Sequence, residues 1–246
     1  MDMAMNLLFL GQYDWGNLVN RVARSLNEVA GKTVARVWTL ERHPLGYPED
    51  VVGHDPTPDL VEFAKAATWV VASGDGDYWY FDKMRGRLPL PADVRIGTTH
   101  AGSAYRASPD LYNEADRRRG FEARFIGLDS LRFALDDPTV QAHLSPAPRI
   151  VDAIRSPGPR LHVAHAPSQR ATKGTAAILE ALVGIDGIDV DLIEGVPFDE
   201  CIARVARADI LVDQMEPSIG GIGALAIEAM GLGVAVVSDV RHVTTE

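Results

Sequence analysis

Two segments in the last third of the chain combine residue types that can hold an anionic ligand. The first, His165-Ala-Pro-Ser-Gln-Arg170-Ala-Thr-Lys173-Gly174-Thr175, follows an apolar run and opens a helix. Lys173 supplies a point charge suited to phosphate, and Arg170 in the same loop a bidentate second cation. Gly174 lets backbone N–H groups come close. The second segment, Gly220-Gly221-Ile222-Gly223, follows a run ending at Val212-Asp213-Gln214 and enters a helix over Ala224–Met230. Glycines there permit close backbone approach, and a helix N-terminus favours negative charge. Glu228, farther along that helix, can accept hydrogen bonds from a ribose diol. The plainer alternative is that Thr172 caps a helix, both cations are solvated and Glu228 is a solvated helix residue. The segments are about fifty residues apart, as two turns of one nucleotide-binding sheet would be.

The elements that must position these segments alternate along the chain. Short apolar runs without polar alternation predict buried parallel strands. They fall at Leu7–Leu10, Val34–Trp38, Trp69–Ala72, Val94–Thr98 and Ala123–Gly127, then Leu161–His165, Ile188–Ile193, Ile210–Val212 and Val234–Val237. Between them, helical spacing groups Leu18, Val22, Leu26 and Val29, then Leu60, Phe63 and Ala64, then Ile178, Ala181 and Leu182. The class is therefore α/β with parallel sheets. Residues 144–160 hold four prolines and little periodicity. A semi-rigid crossing at 146–160 is expected to join an N-terminal Rossmann-like domain at 1–145 to a second at 161–246. Only four strands are read after the crossing, where a doubly wound nucleotide domain usually has five or six. The second domain is accordingly expected to be incomplete at its C-terminal end.

Composition narrows the function classes. The 246 residues carry 24 basic and 34 acidic side chains, a formal charge of −10 that argues against nucleic acid as partner. Only 7 of the basic side chains lie after residue 150, so an anion held there must be held locally. The single cysteine, Cys201, excludes an intramolecular disulfide and sits in a pattern that predicts a buried helix position. The N-terminus lacks the basic and apolar regions of a signal peptide, and no window approaches a membrane span. A cytoplasmic location is the expectation. His162, His165 and His242 have no metal-ligand spacing.

The series Lys173-Gly174-Thr175, Ala208-Asp-Ile-Leu-Val-Asp213-Gln214, Gly220 to Glu228-Ala-Met-Gly and Val234-Ala-Val-Val resembles the donor domain of retaining GT-B glycosyltransferases of the family-4 type. The resemblance spans residues 161–238. It implies that the loop before Lys173 binds the nucleotide diphosphate together with Gly221, Ile222 and Gly223, and that Glu228 binds ribose as the second glutamate of a Glu-(seven residues)-Glu motif. The first glutamate, which contacts the sugar, is replaced by Gly220, and the family's arginine five residues before the lysine by Ser168. Arg170 is then the substitute cation.

The first half resembles the same family more loosely. There the resemblance places the turn Gly11-Gln-Tyr-Asp14-Trp-Gly16 toward an interdomain cleft and the acceptor. It makes His100, at a strand end, the candidate active-site contact to the donor sugar, with a structural histidine as the alternative. Arg106 is a candidate phosphate contact or a snorkelling side chain. Asp75-Gly76-Asp77 is discounted as a metal motif, the Tyr78–Phe81 cluster reads as packing, and Arg117–Arg119 as a solvated helix end.

The activity implied is transfer of a sugar from a nucleotide-diphosphate sugar to a hydroxyl of a glycan, lipid or small-molecule acceptor, with retention. The donor is a substrate, and neither cofactor nor metal is implied. The departing phosphate takes the acceptor proton, and domain closure excludes water. Two rivals are a non-catalytic nucleotide-sugar-binding subunit and a nucleotide-sugar epimerase.

Overall fold

The computed structural model describes residues 5–74, 78–100, 103–127, 130, 133–134, 136–143, 158–216 and 221–240. Gly220, the Asp75–Asp77 turn and most of the expected interdomain crossing lie outside the described residues. Two compact units divide the chain, Met1–Ser145 and Pro146–Glu246.

The first unit runs β1 (Leu7–Gly11), α1 (Leu18–Ala30), β2 (Ala35–Thr39), β3 (Val51–Val52), α2 (Pro58–Ala64), β4 (Trp69–Ser73), α3 (Tyr78–Arg85), β5 (Arg95–His100), α4 (Ser103–Ala107), α5 (Pro109–Arg119), β6 (Ala123–Gly127) and β7 (Val140–His143). All pairings are parallel, in the order β3-β2-β1-β4-β5-β6-β7. Leu7 stands opposite Ala35 on one side and Trp69 on the other. With neighbours on both edges and helices on both faces, β1 is apolar throughout. The period of two divides it between two cores. Leu8 and Leu10 pack with Trp38, Leu60, Phe81 and Met84, whereas Phe9 packs with Val19, Ala23, Val37 and Val71.

The second unit runs β8 (Leu161–His165), α6 (Arg170–Lys173), α7 (Thr175–Leu182), β9 (Ile188–Leu192), α8 (Phe198–Val205), β10 (Ile210–Val212), α9 (Ala224–Gly231) and β11 (Ala235–Val237). Its parallel sheet has the order β11-β10-β8-β9. Ala164 and Leu211 pack with Val205, Ala229 and Leu232 from the helix side of α8 and α9. On the other face Val163 and Val212 pack with Ile178 of α7.

Mixed α/β architecture with parallel sheets thus agrees with the alternation in the sequence. Two strands add to the expected set. β3 is two residues long, and β7 contains Gln141 and His143, so neither presents an apolar run. Two helix faces also need correction. In α1 the core residues are Val19 and Ala23, with Val22 and Leu26 at the edge. Val29 is 90% exposed because it lies on the flank of that face in the last turn. In α7 Ala181 is exposed, while Ile178 and Leu182 pack on the sheet. Among the described residues no helix is long and apolar enough to cross a membrane.

Among the described residues Trp38 is the largest fully buried side chain, and its Nε1 donates to the Gly53 carbonyl at 2.8 Å. Trp38→Ala removes both packing and that bond, with an expected cost of about 3–5 kcal/mol. Urea denaturation followed by fluorescence checks it; an unchanged midpoint contradicts the packing described.

Candidate functional site

In the second sheet the chain leaves β8 for β9 on one side, then returns to place β10 on the other side of β8. Such a reversal of strand order is where open α/β sheets place their ligand crevices, outside the carboxyl ends of the strands, here β8 and β10. Both segments singled out in the sequence end there. The loop after β8 leads into the single turn α6, which ends at Lys173. Gly174 follows with φ +70, a left-handed conformation that favours glycine, and α7 begins at once. A Cβ on Gly174 would stand 3.1 Å from the Glu216 nitrogen, so the loops after β8 and β10 touch through backbone. The Met215 N–H donates to the Lys173 carbonyl at 3.1 Å and ties them directly.

Asp213, immediately after β10, joins these parts. Its buried carboxylate accepts from Lys173 Nζ through Oδ1 at 2.6 Å and from the Gly223 N–H through Oδ2 at 3.0 Å. Gly223 is the residue before α9, so the lysine and the N-terminus of that helix converge on one carboxylate. Both segments are therefore brought together, by a residue that the sequence reading quoted but did not place in the site. The Gly221 N–H donates to the Asp239 carbonyl at 2.7 Å, which anchors the glycine segment to the stretch after β11. Ile222 lies between them with 36% exposure.

Glu228 is buried in the body of α9, not solvated. Burial first and the Glu228 carboxylate second push the Cys201 thiol up to about 11, where it is a poor nucleophile. Arg170 points elsewhere: its exposed guanidinium grips Glu194, Nε to Oε1 at 2.9 Å and Nη2 to Oε2 at 2.5 Å.

A second group the sequence reading did not assign is His165, the last residue of β8. Its Nδ1 lies 2.7 Å from the Val212 carbonyl and its Nε2 2.8 Å from Thr175 Oγ1. A carbonyl only accepts, so Nδ1 carries a proton; burial favours the neutral ring, in which Nε2 accepts from the Thr175 hydroxyl. Its position at the carboxyl end of a strand next to β10 is the signal that could have found it.

In the first unit, Gly11 ends β1, Asp14 follows it and His100 ends β5, with β4 between those strands. Gly11 is packed against the Ser73 carbonyl. Asp14 is buried and caps α1, accepting from Val19 N–H at 3.0 Å and from Asn20 N–H and Nδ2, each at 2.8 Å. Burial raises its pKa, and those hydrogen bonds oppose the rise. Arg106 is half-buried in α4.

His100 is fully buried. Its ring stacks on Tyr105 at 4.7 Å, and its Nε2 is 2.9 Å from Asp116 Oδ2. That carboxylate also accepts from Arg124 Nε at 2.8 Å and from the Tyr78 hydroxyl. Arg124 continues to Asp137 at 2.8 Å and to Asn113. Burial raises the Asp116 pKa, but the bonds from His100 and Tyr78 and the Arg124 charge outweigh it and hold the carboxyl below the usual range. His100 thus belongs to a closed interior network.

Among the described residues no three His, Cys, Asp or Glu side chains are grouped to hold a metal ion. No protein-family model matches the chain, and no curated protein sequence matches it. Solved structures do match. An alpha-glucosyltransferase in complex with UDP and a 13-mer DNA containing a central A:G mismatch superposes with a TM-score of 0.59 at 7% identity, over 94% of this chain and 78% of its own. An alpha-glucosyltransferase in complex with UDP-glucose and DNA containing an abasic site gives 0.55 at 7%, over 94% and 79%. The likeness is one of fold, the Rossmann-like GT-B architecture with parallel sheets.

Two measurements probe these clusters. Arg124→Met leaves Asp116 charged and buried without its cation, an expected loss of about 3–5 kcal/mol in chemical denaturation. Burial holds the His165 pKa below its ordinary 6.5, against the opposing effects of the Val212 carbonyl and Asp213. The unfolded chain therefore binds the proton more readily, so His165 contributes its stability above about pH 6.5 and loses it as pH falls. Thermal midpoints should fall less steeply between about pH 6.5 and 5 in His165→Gln than in the wild type; equal slopes would contradict the assignment.

Proposed function

We propose that the second unit binds the diphosphate of a nucleotide sugar and that the chain transfers the sugar to a hydroxyl with retention. The observation carrying this reading is the convergence of Lys173 and the α9 N-terminus at the point where strand order reverses. An ammonium has three N–H donors, all of which a diphosphate that draws Lys173 from Asp213 could meet. Lys173 and the helix terminus would neutralise the departing diphosphate, the term that dominates such a transition state. Arg170 would contribute once drawn from Glu194. The resemblance would assign Glu228 to the ribose and His100 to the donor sugar, with Gly11, Asp14 and Arg106 on the acceptor side, but His100 and Asp14 are buried and bonded within the first unit, so the reading rests on Lys173 and Gly223. The UDP and UDP-glucose bound by the fold neighbours make uridine nucleotides the first probes. The neighbours' DNA is not carried over as acceptor, because a net charge of −10 repels a polyanion.

A second reading, a nucleotide-sugar-binding unit without transfer, is favoured by the burial of His100 inside the Asp116 network. Calorimetric titration with UDP, ADP and GDP tests what the two share. Saturable binding is expected for one of them, weakened about tenfold or more in Lys173→Ala, the loss of a charge-assisted bond. Absence of saturation, or binding indifferent to Lys173, sinks both readings. Release of the nucleoside diphosphate from its sugar, assayed with glycan, lipid, small-molecule and DNA acceptors, then separates transfer from binding.

A further inference from the structure

In the donor-site reading Asp213 is only the partner of Lys173, yet it holds the two groups on which that reading depends. Its Oδ1 is 2.6 Å from Lys173 Nζ and its Oδ2 is 3.0 Å from the Gly223 nitrogen. The carboxylate is 1% exposed and the lysine side chain 13%. A Cβ built on Gly223 would stand 2.5 Å from Asp213 Oδ2 and 2.7 Å from Lys173 Nζ. The three groups therefore close on one point, with no room for a second anion between them.

Electrostatics explains why a carboxylate belongs there. A largely buried ammonium beside the positive end of a helix is costly without a counter-charge. Asp213 supplies it to both. The same geometry makes it a rival of any incoming anion, because two negative charges in hydrogen-bond range of one ammonium repel strongly in a partly desolvated crevice.

We infer that Asp213 is a specificity-determining residue of the donor site: a built-in anion that occupies the phosphate position and must be displaced from Lys173 before a diphosphate can take it. The inference rests on the reading of this crevice as a nucleoside-diphosphate site. Its consequence is selectivity. Simple anions that offer only charge cannot displace a carboxylate held by the fold. A nucleoside diphosphate can, because the base and ribose add contacts elsewhere. Neutralising Asp213 should therefore stabilise anion binding while weakening the ligand-free fold, two effects of opposite sign from one substitution.

The test is titration of wild type, Asp213→Asn and Asp213→Ser with inorganic pyrophosphate and with UDP, after circular dichroism and thermal melting establish which proteins are folded. Asn keeps an acceptor for the Gly223 N–H, and Ser gives a second neutral variant should Asn fail to fold. The expected result is pyrophosphate binding at least about tenfold tighter in the neutral variants than in wild type, with UDP also tightened. Adding Lys173→Ala to either should abolish the gain. Equal or weaker pyrophosphate binding in the folded neutral variants overturns the inference, and makes Asp213 a support for Lys173. If UDP binding depends on Lys173 but is not tightened by neutralising Asp213, the donor-site reading stands and this inference falls alone. If neither ligand binds any of the proteins, both fall.

Discussion

The second unit is organised around one carboxylate shared between a lysine and a helix terminus. Asp213 lies at the end of β10, Lys173 follows β8, and Gly223 precedes α9. Without Asp213, a largely buried ammonium would face the positive end of a helix across a few ångströms. With it, the loops after β8 and β10 are drawn together, and Gly174 and Gly223 are needed because backbone and charge come so close. His165 reinforces this by bridging Val212, the residue before Asp213, to Thr175, the first residue of α7. Site geometry and local stability are thus the same set of interactions.

The first unit meets a similar problem with a different solution. Its buried charges, Asp116 and Arg124, are satisfied by each other and by Tyr78, His100, Asn113 and Asp137. Such a network specifies a unique interior when every member is bonded. A histidine at the carboxyl end of a parallel strand invites a functional reading. Here its ring is fully buried and stacked on Tyr105.

The legible parts of the fold were those with a strong local cause. β1, β4 and β10 are covered on both faces, so hydrophobic burial writes them as apolar runs. β3 and β7 sit at the sheet edges, where pairing with one neighbour suffices and no run is required. The buried face of α1 was read one flank too far because helical spacing alone admits Val29, while contact with the sheet selects Val19 and Ala23. In the site, Lys173, Gly174 and Gly223 were visible as a cation and glycines at helix starts. Asp213 and His165 were not, since a lone aspartate or histidine after an apolar run carries no spacing signal.

Sequence by itself determined the class of architecture, the parallel strands and the two loops that carry cation and glycine. These follow from burial and backbone freedom, which act on neighbouring residues. Tertiary structure alone decided that the two loops meet and that a carboxylate stands between them. It also decided that Arg170 turns to Glu194 while Glu228 and His100 are buried. The reason is that strand order, not strand sequence, puts β8 beside β10, and the carboxylate that pairs with Lys173 is 40 residues away along the chain.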